Sequence, residues 1–149
     1  MSGRRGDVAV LEAAIALEQR AALAYAAFAE AGALGPVAEH LSRQEQEHAD
    51  GLIAALRGLG GSPPPRPEGA GDVPGLNEAL RSGGAAAFAL ELEAGAVATY
   101  HRALGQLTTP DLLLTVAGIM ASEAQHLVVL RSALGRDPAP APFVDGGLQ

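Results

Sequence analysis

Glutamate and histidine stand three residues apart at two places in the chain, in Glu45-Gln46-Glu47-His48 and in Glu123-Ala124-Gln125-His126. On a helix, residues at this spacing lie about 60° apart around the axis and less than one turn apart along it. One carboxylate and one imidazole can then reach the same metal ion. Each pair follows a lone glutamate in a Leu-Glu step, Glu18 and Glu93. A neighbouring helix carrying that residue would supply a further carboxylate. The two sets together offer four carboxylates and two imidazoles, which suits a pair of divalent ions. The chain has no cysteine. Disulfides, zinc ribbons, iron–sulfur clusters and thiol nucleophiles are therefore excluded, and any metal site must be built from carboxylates and imidazoles.

The two sets belong to an internal repeat. In the first half Leu17-Glu18 is followed by Tyr25, Pro36, Glu45, His48 and Leu52. In the second, Leu92-Glu93 is followed by Tyr100, Pro110, Glu123, His126 and Leu130. The chain has only 2 tyrosines, and each lies seven residues after its glutamate. Each histidine is followed four residues later by leucine. The spacing from first to second glutamate is 27 residues in one half and 30 in the other, a small insertion.

Charge is consistent with this arrangement. Four carboxylates converging in a core would be heavily penalised, or would take up protons, unless cations neutralised them. Two divalent ions carry the matching charge. The formal net charge is −7; without the four glutamates it is roughly −3, ordinary for a soluble domain. An acidic chain argues against nucleic acid and against an anionic membrane surface as partners. Arg4-Arg5 is followed by Asp7 and Glu12, where a leader would need an apolar run. The stretch Ala21 to Val37 is broken by Glu30, Gly32, Gly35 and Pro36, so it is too short and too interrupted to span a bilayer. A cytoplasmic location is expected.

The elements that must position these residues are helical. The chain has 149 residues, is 48% hydrophobic and has only 3% aromatics. That is enough for one domain with a core rich in Ala, Leu and Val, which favour helix and close helix packing. Apolar spacing and punctuation predict helices over about residues 6–31, 36–59, 85–107 and 110–134. Pro36 and Pro110 suit a first helical turn, Thr109 suits an N-cap, and Gly135 suits a C-cap. Residues 60–84 are long for a loop in a compact domain and predict a crossover between helices 2 and 3, with a short helical turn around Leu76 to Leu80. The Pro-rich tail, 135–149, is expected to be extended, with Phe143 as the residue best able to fold back.

Leu17-Glu18 through Tyr25-Ala26-Ala27-Phe28-Ala29, Glu45 with His48, Glu93 with Tyr100, and Glu123 with His126 resemble the ferritin-like superfamily. They look like rubrerythrin and, more closely, the bacterial ferritin-like domain proteins. In the di-iron and di-manganese members of such bundles, two helices give one Glu each and two give a Glu-x-x-His each. The resemblance covers about residues 10 to 143 and implies an all-α, antiparallel four-helix bundle in one domain. It implies that Glu45 and Glu123 bridge two metals, that Glu18, Glu93, His48 and His126 are terminal ligands, and that Tyr25 and Tyr100 hydrogen-bond behind them. It implies two iron ions, or alternatively two manganese ions, reacting with dioxygen or peroxide as in ferroxidases and peroxidases. The Cys-ligated iron domain that often feeds electrons to rubrerythrins is missing here, so the reductant must come from elsewhere. Rubrerythrins also tend to have an additional carboxylate at the metals, for which Glu47 and Glu91 are the candidates.

Other polar residues have plainer readings. Glu12, Glu30, Glu39, His40 and His101 are expected on solvated faces. Two rival readings remain for the whole chain: an iron-binding or storage protein, and a stress-associated helical domain without turnover. The Ala- and Leu-rich helices also suit self-association into a homodimer.

Overall fold

The computed structural model describes residues 2–147. Among them the chain is all-α, with five α-helices and no strand: α1 (Ser2–Glu30), α2 (Pro36–Gly58), α3 (Leu76–Ser82), α4 (Ala85–Leu104) and α5 (Pro110–Ala133). A 3₁₀ turn at Ala70–Asp72 precedes α3. By its internal contacts the chain divides into two compact units, Leu11–Phe88 and Met1–Val10 with Ala89–Gln149. Helix α1 passes from one unit to the other after Val10, and α4 does so after Phe88.

In the unit Leu11–Phe88, α1 and α2 form an antiparallel hairpin. Ser42 Oγ donates to the Ala22 carbonyl at 3.0 Å, while His48, further along α2, meets Glu18, earlier on α1. The buried stripe of α1 runs Leu11, Ala14, Ile15, Glu18, Ala22, Tyr25 and Phe28, the spacing of one helical face. That of α2 runs Ala38, Leu41, Glu45, Ala49, Leu52 and Leu56. The periodicity that buries leucine thus carries Glu18, Tyr25 and Glu45 inward. Phe28 holds the hairpin to the start of α4, its ring edge-on to Phe88 at 5.8 Å and to Tyr25 at 6.3 Å.

Helix α2 ends where Gly60 takes a left-handed φ of 78°, which glycine adopts without a Cβ clash. Its N–H and that of Gly61 then satisfy the carbonyls of Arg57 and Leu56. The segment that follows is not a bare loop. The helical turn expected near Leu76 is a two-turn helix, α3, anchored by buried Leu76 and Ala79 and stopped at Gly83.

In the other unit, α4 and α5 form a second antiparallel hairpin, and the first turns of α1 pack with it. The α4 stripe is Ala89, Glu93, Val97, Tyr100 and Ala103; that of α5 is Leu112, Val116, Ile119, Glu123, His126 and Leu130. Asp7 of α1 is buried and tied to the α4–α5 turn. It accepts from the Thr108 N–H at 2.8 Å, the Thr108 hydroxyl at 3.0 Å and the Thr109 hydroxyl at 2.6 Å. Those bonds, chiefly the Thr109 hydroxyl, hold its carboxyl below the ordinary value of 3.8 even though burial pushes it up.

Several boundaries differ from the sequence reading. Helix α1 begins at Ser2, not near residue 6, because Asp7 and the close seating of Gly3 on Thr108 outweigh the poor helix propensity of Gly3 and Gly6. Helix α4 stops at Leu104, where Gly105 turns the chain, not near residue 107. Thr109 stands at the N-cap of α5, but its hydroxyl makes no cap bond and goes to Asp7 instead. Gly135, at φ 68°, closes α5 as expected. The tail, described to Gly147, is anchored by Arg131, whose Nε donates to the Asp137 carbonyl at 2.8 Å. Phe143 does not fold back; it is 82% exposed. The tail returns at Gly146, so close to α4 that a Cβ there would lie 2.6 Å from the Ala94 carbonyl oxygen. Leu148 and Gln149, the end of the expected extended tail, lie outside the described residues.

Helix α5, rather than the Ala21 to Val37 stretch, is the most membrane-like segment. By length and composition it is apolar enough to cross a bilayer. It nevertheless buries Glu123 and His126 against protein.

Candidate metal centre

Each hairpin builds one cluster. In the first, α1 presents Glu18 and α2 presents Glu45 and His48. Their ligand atoms all lie within 4.8 Å of one another. His48 Nδ1 is 3.3 Å from Glu45 Oε2 and 3.6 Å from Glu18 Oε2. In the second, α4 presents Glu93 and α5 presents Glu123 and His126, again within 4.8 Å of one another. His126 Nδ1 is 3.3 Å from Glu93 Oε2 and 3.2 Å from Glu123 Oε2. The same imidazole nitrogen faces the same two carboxylates in both.

Elementary geometry says that a metal ion fits each set. Carboxylate and imidazole ligands sit about 2.1 Å from a small divalent ion, so two ligands of one ion are at most about 4.2–4.4 Å apart. Atoms already gathered within 4.8 Å need only slight adjustment. The four carboxylates are at most 1% exposed, so water does little to stabilise their charge. Oxygen and imidazole donors of this kind suit iron, manganese and zinc, and do not choose among them.

The clusters differ in their surroundings. The His126 side chain is 3% exposed and that of His48 is 14%. His126 Nε2 lies 3.4 Å from Ser122 Oγ, one turn back on α5. If Nδ1 holds a metal, the proton sits on Nε2 and is donated to that hydroxyl, which fixes the ring. Sequence reading passed over Ser122; the signal available was its position four residues before the histidine of a Glu-x-x-His pair.

The other candidates sort cleanly. Tyr25 and Tyr100 are fully buried, each two helical turns from its cluster's lone glutamate along the same stripe. Glu47 and Glu91 are exposed, so neither supplies the additional carboxylate. Glu12, Glu30, Glu39, His40 and His101 are exposed too, as expected.

Residues 6–136 match the family model of the ferritin-like domain. The chain belongs to that family. Comparison with curated proteins gives no match. The ferritin-like domain runs from the first turns of α1 to the end of α5, so both clusters lie inside it. Within it, Glu18, Glu45, His48, Glu93, Glu123 and His126 are buried or nearly so, and can hold metal.

Proposed function

We propose that the two clusters hold one metal ion each, with iron as first choice and manganese as second, and that the chain reacts there with dioxygen or peroxide. One observation carries the reading: the same donor set, two carboxylates facing a histidine Nδ1, occurs in both halves of a ferritin-like domain. A surface charge pattern has no reason to repeat with the same nitrogen turned inward.

In this reading Glu18, Glu45 and His48 would hold one ion, and Glu93, Glu123 and His126 the other. Two such ions, when bound, supply electrons and open coordination positions for dioxygen or peroxide. The chain does the rest. Its four carboxylates balance the cation charge without needing water. Its apolar stripes keep bulk solvent from the reacting atoms. The buried Tyr25 and Tyr100 hydroxyls hold hydrogen bonds behind the ligands. These 149 residues have no cysteine, so they supply no cysteine-ligated iron to restore the metals.

The reaction is tested by adding hydrogen peroxide, or dioxygenated buffer, to iron-loaded protein with a chemical reductant. Consumption faster than an equal amount of free iron supports it. A rate no greater than free iron rejects turnover and favours iron binding or storage.

A further inference from the structure

Helix α5 has an ordered outer face as well as a buried one. Leu114, Gly118, Ala121, Gln125 and Val128 are all exposed. They follow one another at alternating steps of four and three residues. Residues so spaced form one seam along a helix, the seam by which two helices pack together. Leu114 is 75% exposed and Val128 41%. Between Asp111 and Arg131 the ionisable residues are Glu123 and His126, and both are buried. The seam is therefore uncharged, in a chain of net charge −7.

The seam has apolar bulk at its ends and small side chains between them. Leu114 stands alone at one end. At the other, Val128 lines a recess of about 210 Å³ between α5 and the tail, whose walls include Pro140, Phe143 and Val144. Phe143 and Val144 are exposed as well, so the apolar area widens here. Gly118 and Ala121 lie between, where a second helix could approach closely.

The layout is self-complementary. Ala121 is seven residues from Leu114 and seven from Val128. A second α5, antiparallel and related by a two-fold axis at Ala121, sets each Leu114 against Val128 of the other copy, at the mouth of the recess. A closed two-fold contact uses the same patch on both chains in this way. The ends match in charge also. Exposed Asp111 at the start of one helix comes to the end where the other copy carries exposed Arg136, and the helix dipoles run opposite. A lipid surface fits the face less well. Helices that lie on lipid are rich in Lys and Arg on their polar face, whereas the one such residue in α5, Arg131, is buried.

We propose that the outer seam of α5 is a homodimer interface, antiparallel and two-fold about Ala121, with Leu114 packed on Val128 of the second copy. It stands whether or not the clusters hold metal. One helix pair with the tail beside it is smaller than a standard protein interface, so the dimer exchanges with monomer in the micromolar range.

The test is sedimentation equilibrium of the whole chain from about 5 μM to about 1 mM. A monomer–dimer equilibrium that goes no further is expected. Ala121→Glu sets two like charges together on the axis and should weaken the dimer at least about 10-fold. Leu114→Lys and Val128→Glu should each weaken it, and the double variant should associate more tightly than either. These positions are about 21 Å apart on one helix, so such a rescue acts between copies. All three positions are exposed, so circular dichroism should be unchanged. A second measurement does not depend on those variants. The chain has no cysteine, so under mild oxidation Ala121→Cys should link into a dimer and Leu114→Cys should not. A monomer throughout, association that ignores Ala121→Glu, growth beyond dimers, or equal linking of the two cysteine variants would overturn the assignment. So would binding of a monomer to phosphatidylcholine vesicles through this seam, which would give the face to lipid.

Discussion

The Nδ1 of His126 lies 3.3 Å from Oε2 of Glu93, a residue 33 positions earlier on the preceding helix. A hydrogen bond between imidazole and carboxylate would satisfy that pair by itself. With Glu123 equally close to the same nitrogen, the cluster holds two carboxylates for one ring. That surplus of negative charge is what a cation corrects, and it leads to a change of sign in mutant stability. In chelator-treated protein, Glu93→Gln or Glu18→Gln should raise stability by about 1–2 kcal/mol, because a buried charge is removed. In metal-loaded protein the same substitutions should lower it, because a ligand is lost. Thermal unfolding with and without metal checks this, and destabilisation under both conditions would mean that the carboxylates are satisfied without metal.

Metal should itself stabilise the fold. At a hundredfold excess over Kd, binding to the native state adds about 2.7 kcal/mol, worth about 5–11 °C in Tm for a chain of this size. The two ions should not be equally easy to remove. His48 is 14% exposed and His126 only 3%. A slow chelator should therefore take the ion on the Glu18–Glu45–His48 side first, and His48→Ala should reduce metal content less than His126→Ala. Stopped-flow chelation resolves the two steps. Loss from the His126 side first would show that exposure does not govern exchange.

Asp7 gives a pH dependence remote from the clusters. Its folded carboxyl is held below 3.8, mainly by the Thr109 hydroxyl. A carboxylate with a lowered folded value contributes stability that is complete above its ordinary range and is lost as pH falls through the folded value. The contribution should persist at pH 5 and disappear as pH drops below 3.8. Asp7→Ala should cost about 1.5–3 kcal/mol at neutral pH, from loss of hydrogen bonds to a charged acceptor. The gap between wild type and Asp7→Ala, measured by denaturant unfolding, should narrow at pH 3. A gap that does not change with pH would mean that packing, not charge, is what Asp7 provides.

The six clustered residues were legible in the sequence as candidates because metal chemistry restricts residue type, and a helix restricts spacing. Glu18, Glu45, Glu93 and Glu123 occupy positions that the core periodicity would otherwise fill with leucine, and a repeated violation of that kind stands out. The helices were legible for the same reason, with Pro36, Gly60, Pro110 and Gly135 marking their ends. Asp7 was not legible. Its partners are about a hundred residues away, and no local pattern announces that Thr109 will spend its hydroxyl on it instead of on a cap. The start of α1 was missed for the same tertiary reason. The repeat gives both halves the same donor types at matched positions. The ligand geometry keeps that symmetry, but solvent exposure does not, because it depends on what packs around each histidine.

The central claim is that one ferritin-like domain holds two metal ions on six side chains. Its most direct test is metal analysis together with anomalous scattering, on protein prepared without chelators and supplied with iron or manganese. Two ions per chain are predicted, one beside Glu18, Glu45 and His48 and one beside Glu93, Glu123 and His126, with Glu45→Ala and Glu123→Ala each losing metal. Protein that takes up neither metal, or anomalous peaks away from these residues, would contradict the account.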